Sequence, residues 1–309
     1  MRRIEKTKPK LNYNINSLIQ EPKGHYWANA YSVMKVNGSI EKCVLENLKR
    51  YNNVSWVCVS SDGIFDDKEY EKTTKWCIHS QSHMKNVFIT KCVKNTKHLI
   101  GLLCCRFINP EPYLLLPLDD EIFSQGLLPL LSSIPNCSWE SKISKAVWRG
   151  STTAGFPSIR TQTASLLWDD PNTDLKLVYS DEWSRNMPIP KNHFGDRYDI
   201  AKQFQYKYIF IIDGAAIASN HMWVFGSGSV PIMITHPSNE YWFKKYLKPM
   251  ENYVPIKYDL SDVKEKINWL ISNDEQAKKI MENAIELSRT LFSHQGQVEY
   301  IQKEMNRLL

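Results

Sequence analysis

The second half of the chain alternates short, continuous apolar runs with longer amphipathic stretches. The apolar, β-branched runs Ala146–Trp148, Leu175–Tyr179, Tyr208–Ile212, Val230–Ile234 and Val254–Ile256 predict buried strands. Between and after them, the spacing predicts helices over Ser158–Leu167, Asp199–Gln205, Ser219–Phe225, Tyr241–Leu247, Val263–Ser272, Asp274–Phe292 and Gln297–Leu309. Strands alternating with helices predict an α/β fold with a parallel sheet covered on both faces. The first half carries a fainter version of the pattern. It holds a helix over Ile40–Tyr51, a strand over Val54–Ser60 ending in the turn Ser61-Asp62-Gly63, and short strands over Asn86–Thr90 and Leu99–Phe107. From Asn109 to Pro135, Pro110, Pro112, Pro117, Pro129 and Pro135 interrupt regular structure and predict a loop and linker between two halves.

Two of the predicted strand ends carry unusual turns. Arg149, Gly150, Ser151, Thr152 and Thr153 follow the first strand of the second half; Asp213, Gly214, Ala215 and Ala216 follow Tyr208–Ile212 and lead to Ser219 and Asn220. Open α/β sheets hold ligands at the carboxyl ends of their strands. Small residues let backbone N–H groups approach an anion, and the helix N-terminus that follows favours negative charge. Two such turns with a guanidinium between them fit a sugar nucleotide better than a peptide or a metal.

The composition narrows the class. Of 309 residues, 42% are hydrophobic, which supports a sizeable core and excludes disorder as the main state. The net charge of +6 is mildly basic and spread along the chain, so it fits an anionic ligand but not a nucleic-acid binder. The seven cysteines form no CxxC pair, and no His/Cys pair has zinc-finger spacing, so free thiols in a reducing compartment are expected, with no structural metal. The segment MRRIEKTKPKLNYN has no apolar core of a signal peptide, and no stretch stays apolar for about 18 residues. A cytoplasmic protein without a membrane span is the expectation. No GxGxxG follows an early strand, which disfavours a dinucleotide-dependent dehydrogenase.

The segments SWESKISKAVWRGSTTAG, LVYSDEW, QYKYIFIIDGAAIASNHMWVFGSGSVPIM and YLKPMENYVPIKYDLSDVKEKINWLISND, in this order, resemble glycosyltransferase family 90. That family includes the Rumi-like protein O-glucosyltransferases, the fungal capsule-associated xylosyltransferases and the lipopolysaccharide-modifying enzymes. The resemblance covers residues 138–292 well and is faint over 40–125, where SWVCVSSDG and YLLLPLDDE are similar to the family's N-terminal strand ends. It implies a GT-B-like fold of two Rossmann-like domains facing across a cleft, with C-terminal helices. The corresponding division is residues 1–130 on the acceptor side, 131–292 for the nucleotide sugar, and 293–309 as a helix returning to the first domain. It also implies inverting, metal-independent transfer of glucose or xylose from a UDP-sugar to a hydroxyl of a glycan, lipid-linked glycan or protein. No cofactor beyond the UDP-sugar is implied.

Inversion needs a base on the acceptor hydroxyl and stabilisation of the departing diphosphate. Without a metal, that charge falls to Arg, Lys and backbone N–H groups. Arg149, directly after its strand, is the leading phosphate candidate, with Gly150, Ser151 and Thr152 as loop donors and Arg160, near an Arg of similar members, in the next helix. Asp213, Gly214, Ala215, Ala216, Ser219 and Asn220 make the second turn, where Gly214 permits close approach and Asp213 can orient the loop or a ribose hydroxyl, or cap a helix. Better-known relatives carry an Arg about where Asn220 stands, and His221 or Lys207 are the residues available to compensate. For the base, the resemblance points to Asp62, with Asp119 or Asp120 as alternatives; Asp66 and Asp67 read as surface turn residues. Trp148, Trp183 and Trp223 are candidates to stack on a ring or to fill the core, and His79, His83 and His193 read as structural. The competing functional reading is an inactive sugar-nucleotide or glycan-binding protein.

Overall fold

The structure is a computed structural model that describes residues 137–309, apart from 154–155, 180–181, 215–216 and 309. Of the earlier chain it describes short segments, six strands and Pro117, within 25–117. Strands β1 (His25–Ala28) and β2 (Val33–Val36) form an antiparallel pair that the sequence pattern did not announce. Strands β3 (Val54–Val59), β4 (Val87–Lys91), β5 (Lys97–Leu102) and β6 (Tyr113–Leu115) form a second sheet in the order β4-β3-β5-β6. There β3, β5 and β6 run parallel, but β4 is antiparallel to β3, a departure from the all-parallel expectation. A second departure is β6, which lies in the stretch expected to be loop. Its run Tyr113-Leu114-Leu115 sits between Pro112 and Pro117, and a sheet edge tolerates neighbouring prolines because one of its sides donates to no strand. The expected helix over 40–51 lies outside the described residues.

The third sheet matches the expected α/β alternation. In chain order its elements are β7 (Ile143–Gly150), α1 (Ile159–Leu167), β8 (Thr173–Leu177), α2 (Glu182–Arg185), α3 (Ile200–Gln203) and β9 (Tyr206–Ile212). Then come α4 (His221–Val224), β10 (Val230–Ile234), β11 (Val254–Pro255), α5 (Val263–Ser272), α6 (Asp274–Leu291) and α7 (His294–Leu308). The strand order is β11-β10-β9-β7-β8 and every neighbouring pair is parallel. Both faces are covered, so β9 and β10 are buried at every position and read as unbroken apolar runs. Alternate residues of β9 feed opposite cores: Ile209 and Ile211 pack with α4 and α7, whereas Tyr208, Phe210 and Ile212 pack with α1 and α5.

The expected helix over 241–247 is only a single 3-10 turn at Lys244–Tyr246. Tyr241, Trp242 and Phe243 are all buried, and three successive residues cannot share one face of an α-helix. At the other end of the chain, α7 meets the second sheet. The Tyr300 hydroxyl donates to the Leu115 carbonyl at 2.9 Å, and Leu114 belongs to the same apolar cluster as Tyr300 and Ile301. Among the described residues, no helix is long and apolar enough to cross a membrane.

The topology positions the site. From β7 the chain steps to β8 on one side, then crosses back to β9 on the other. The order therefore reverses between β7 and β9, and the crevice outside their carboxyl ends is where such sheets bind ligands. The strands also part there. β7 pairs with β9 only as far as Val147, while Trp148, Arg149 and Gly150 stay paired with β8.

Candidate functional site

Both turns singled out in the sequence flank this crevice. Asp213 donates its amide to Ile234 on β10, so the alternate carbonyls of Phe210 and Ile212 point towards the departing β7. Neither can be left buried without a partner. The Asn220 amide donates to Phe210 O at 2.8 Å, and the Arg160 guanidinium donates to Ile212 O through Nε at 3.1 Å and Nη2 at 3.0 Å. The two side chains thus replace the missing strand.

Arg160 stands on the first turn of α1. That helix opens with a capping box in which Ser158 Oγ accepts from the Thr161 amide and Thr161 Oγ1 from the Ser158 amide. From there the guanidinium also donates to Asp213 O at 3.1 Å, Ser151 O at 3.2 Å and Thr153 Oγ1 at 2.7 Å. It lies 5.6 Å over the Trp148 ring. Gly214 fits against this group because it has no side chain: a Cβ there would stand 2.6 Å from Thr153 Oγ1 and 3.2 Å from Arg160 Nη2.

The other expected residues distribute unevenly. Gly150 ends β7 beneath Trp148, whose ring occupies the space of a Cβ at 2.2 Å. Ser151 is half-buried, and Thr152 is 1% exposed with a hydroxyl that has no partner. Ser219 is exposed, and Ala215 and Ala216 lie outside the described residues, as do Asp62, Asp119 and Asp120. Arg149 faces away from the crevice. Its guanidinium pairs with Asp174 Oδ1 at 2.5 Å, donates to the Asp196 carbonyl at 3.2 Å and stacks 3.8 Å from the Tyr198 ring. Asp174 also accepts from the hydroxyls of Tyr198 and Tyr206, so this cluster clamps the edge strand β8 to β9.

The candidates to compensate for Asn220 are also placed elsewhere. Lys207 pairs with Asp274 at 2.6 Å, beside Trp139, at the opposite end of β9. His221 is fully buried, with Nδ1 2.6 Å from Ala218 O and its ring 4.5 Å from that of Phe243. Trp148 and Trp223 are core residues, and His193 is buried 3.5 Å from the Ser165 hydroxyl.

Asp213 holds a third turn that the sequence reading missed. Its Oδ2 accepts from the His236 amide at 3.1 Å and from Asn239 Nδ2 at 2.7 Å. Burial pushes its carboxyl up to about 6, against the pull of the His236 amide, the Asn239 side chain, the Ala218 amide and Arg160. The signal was available: His236-Pro-Ser-Asn239 is another polar, small-residue turn directly after a buried strand.

His221 gives the fold an acid limit. Burial lowers its imidazole from 6.5 to about 4. Between those values the unfolded chain binds a proton that the folded chain does not, so stability falls as pH drops through that window. Asp213 has the opposite sign: its carboxyl is raised, so the stability it confers when protonated is lost as pH rises through about 6. The difference between wild type and His221→Phe isolates the histidine. Urea unfolding at pH 7 and pH 4.5 is expected to show the variant gaining about 2 kcal/mol on the wild type on acidification. An unchanged difference would mean that the ring is already protonated or exposed in the folded state.

Comparison with known proteins places the C-terminal part of the chain in one family. A model described as Glycosyl transferase family 90 matches residues 127–309. Uncharacterized protein 035R of Invertebrate iridescent virus 3 is 29% identical over 188 residues, which is 55% of this chain and 17% of that protein. Protein O-glucosyltransferase 2 of Danio rerio is 30% identical over 155 residues, 49% of this chain and 30% of the other. Protein O-glucosyltransferase 1 of Rattus norvegicus is 30% identical over 163 residues, 52% and 39% respectively. The matched part is therefore well under half the length of these relatives. Among solved structures, sucrose-phosphate synthase from Thermosynechococcus elongatus superposes with a TM-score of 0.46 at 9% identity, covering 86% of this chain and 76% of that one.

Proposed function

The chain belongs to glycosyltransferase family 90, and on that premise we propose that it transfers glucose or xylose from a UDP-sugar to a hydroxyl of a glycan or protein acceptor, with inversion and without a metal. The observation that carries this reading is the crevice at the reversal of strand order, where two small-residue turns are joined by one guanidinium. Backbone amides of Ser151–Thr153 and of the turn after Asp213, with the N-terminus of α1, are the groups we assign to the diphosphate. Arg160 adds positive potential there. Arg149 we assign to holding β8 rather than to phosphate, because Asp174 already neutralises it. We keep Asp62 as the acceptor base, with Asp119 and Asp120 as alternatives.

The family also leads us to propose a GT-B-like arrangement with the nucleotide on residues 131–292 and the acceptor side on residues 1–130. The contact of Tyr300 with Leu115 supports a C-terminal helix that returns to the first part. The names of the animal relatives, protein O-glucosyltransferases, support glucose as the first donor to test.

A second reading, a sugar-nucleotide or glycan-binding protein without turnover, is favoured by one observation. Asn220 brings no charge, and its amide is committed to Phe210 O. Isothermal titration with UDP, with and without EDTA, followed by hydrolysis of UDP-glucose, UDP-xylose, UDP-galactose and UDP-N-acetylglucosamine, separates the two. The transferase reading expects a Kd of the order of micromolar that EDTA leaves unchanged, and slow hydrolysis of one donor. Binding without hydrolysis of any donor would favour the second reading, and loss of binding in EDTA would remove metal independence.

A further inference from the structure

We infer that the core beside Phe292 holds a built-in water site that ties together α4, the aromatic run 241–243 and the C-terminal helix α7. The site is independent of what the crevice binds. Three polar side-chain atoms there are buried with no hydrogen-bond partner among the described residues: His221 Nε2, Trp242 Nε1 and Gln297 Oε1. Their residues are 1%, 3% and 2% exposed, so bulk solvent does not serve them. Each of the three residues meets Phe292. The Trp242 ring stands edge-on at 5.2 Å, the His221 ring is tilted at 5.9 Å, and Gln297 Nε2 donates to the Phe292 carbonyl at 2.9 Å. Buried polar atoms without partners are rare in folded proteins, and three around one residue call for a common partner.

The chemistry of the three atoms selects that partner. His221 Nδ1 lies 2.6 Å from Ala218 O, and a carbonyl only accepts, so Nδ1 carries the proton. Burial keeps the ring neutral at pH 7 by lowering it to about 4, which leaves Nε2 as an acceptor. Gln297 spends its NH₂ on Phe292 O, so the other end of its amide is the oxygen, a second acceptor. Trp242 Nε1 can only donate. A direct bond from the indole would satisfy one acceptor and leave the other orphaned. A water molecule accepts from the indole and donates to both acceptors, and about three bonds is the usual number for an internal water. A cation would face the indole N–H, an anion would face two lone pairs, and an apolar group would leave all three atoms unpaired. His221 opens α4 directly after Asn220, whose amide holds Phe210 O at the crevice, so the water links α7 to the helix behind that crevice.

The test reads water at the Trp242 indole in the full chain labelled with nitrogen-15. The expected result is a cross-peak between the Nε1 proton and water that has opposite signs in NOE and ROE spectra, the mark of a water held in place rather than of proton exchange. Trp242→Phe deletes the indole peak and so assigns it; if that variant does not fold, through-bond assignment of the wild type does the same. Tyr300→Phe controls for relay through a hydroxyl, because the Tyr300 ring stands 5.3 Å from that of Trp242, and the cross-peak should persist there. In a crystal, one ordered water within about 3.2 Å of His221 Nε2, Trp242 Nε1 and Gln297 Oε1 is expected. The water is ruled out if the resolved indole proton shows no such cross-peak, or if the cross-peak vanishes in a folded Tyr300→Phe protein. It is equally ruled out if the crystal shows the three atoms too far apart for one water to reach, or the indole bonded directly to a side chain.

Discussion

Replacing Gly150 by alanine is expected to cost about 3 kcal/mol or more of stability, at the upper end of overpacking effects, and to abolish nucleotide binding. The reason is local and severe. The new Cβ would stand 2.2 Å from Trp148 Cζ2 and 2.6 Å from Cη2, far inside contact distance. The indole cannot swing away freely, because Trp148 is 3% exposed and packs in the cluster that holds Ile159, Leu175 and Tyr208. Its ring also lies under the Arg160 guanidinium, so a displaced indole moves the fork that joins the turns. Stability and binding should therefore fall together. Gly195→Ala provides the milder contrast: its Cβ would meet Lys176 Cγ at 3.0 Å and Cβ at 3.1 Å, an overlap of a few tenths of an ångström and not one deep inside contact distance. Thermal unfolding should show a drop of roughly 6–12 °C for Gly150→Ala and a smaller one for Gly195→Ala. A Gly150→Ala protein that melts with the wild type would mean that Trp148 repacks without cost.

This glycine also has a packing role that the sequence reading did not state. Gly150 stood out as small, in a turn after a strand, and the expected use was close approach to an anion. In the structure it belongs to the strand itself, and its smallness makes room for an indole two residues earlier. Arg149 went the same way. Charge and position marked it as a phosphate contact, but side chains alternate across a strand, and its face of the sheet leads to Asp174 on the neighbouring strand rather than to the crevice. The pairing of β7 with β8 sets that outcome, and a single sequence does not display it. Arg160 was visible as a helix residue with relatives' support, yet its link to the second turn depends on the parting of β7 from β9, a feature of three-dimensional register.

What was legible follows from periodicity. Val230–Ile234 and Val263–Ser272 were read with the bounds they have, because a wholly apolar run between turn residues and a helical repeat leave little choice. The 241–247 segment was not, because its aromatic run satisfies a core contact by surrounding Phe292 instead of lining a helix face. Asp213 was read as orienting its own loop or a ribose hydroxyl, or as a cap; in the structure its carboxylate accepts from a loop 23 residues later, at the His236 amide. Its cost is visible in the raised carboxyl, which burial makes reluctant to ionise. Carrying a buried carboxylate at a strand end is a load on the fold, and proteins retain such loads where a site needs a loop held in place.

Asp62→Asn is expected to lower transfer by at least about 100-fold, the low end for loss of a general base, while UDP affinity stays near that of wild type. Asp62 follows β3 by three residues, and β3 lies inside its sheet, between β4 and β5 and parallel to β5. The carboxyl end of an interior parallel strand is a place where α/β sheets present catalytic groups. Asp119 and Asp120 follow β6, the edge strand, which is the weaker position for the same role. An ordinary aspartate is ionised at neutral pH and can take the hydroxyl proton as the sugar bond forms; asparagine keeps the shape and the hydrogen-bonding oxygen but cannot take it. The substitution should therefore separate chemistry from donor binding, which no change in the crevice of the third sheet would do. The assay is UDP release from the preferred donor under saturating conditions, with Asp66→Asn as a control and Asp119→Asn and Asp120→Asn in parallel. Full activity in Asp62→Asn with loss in either of the other two would move the base to the end of β6. Full activity in all three would put it on a residue outside both strand ends, and the acceptor side of the site would have to be sought elsewhere in the chain.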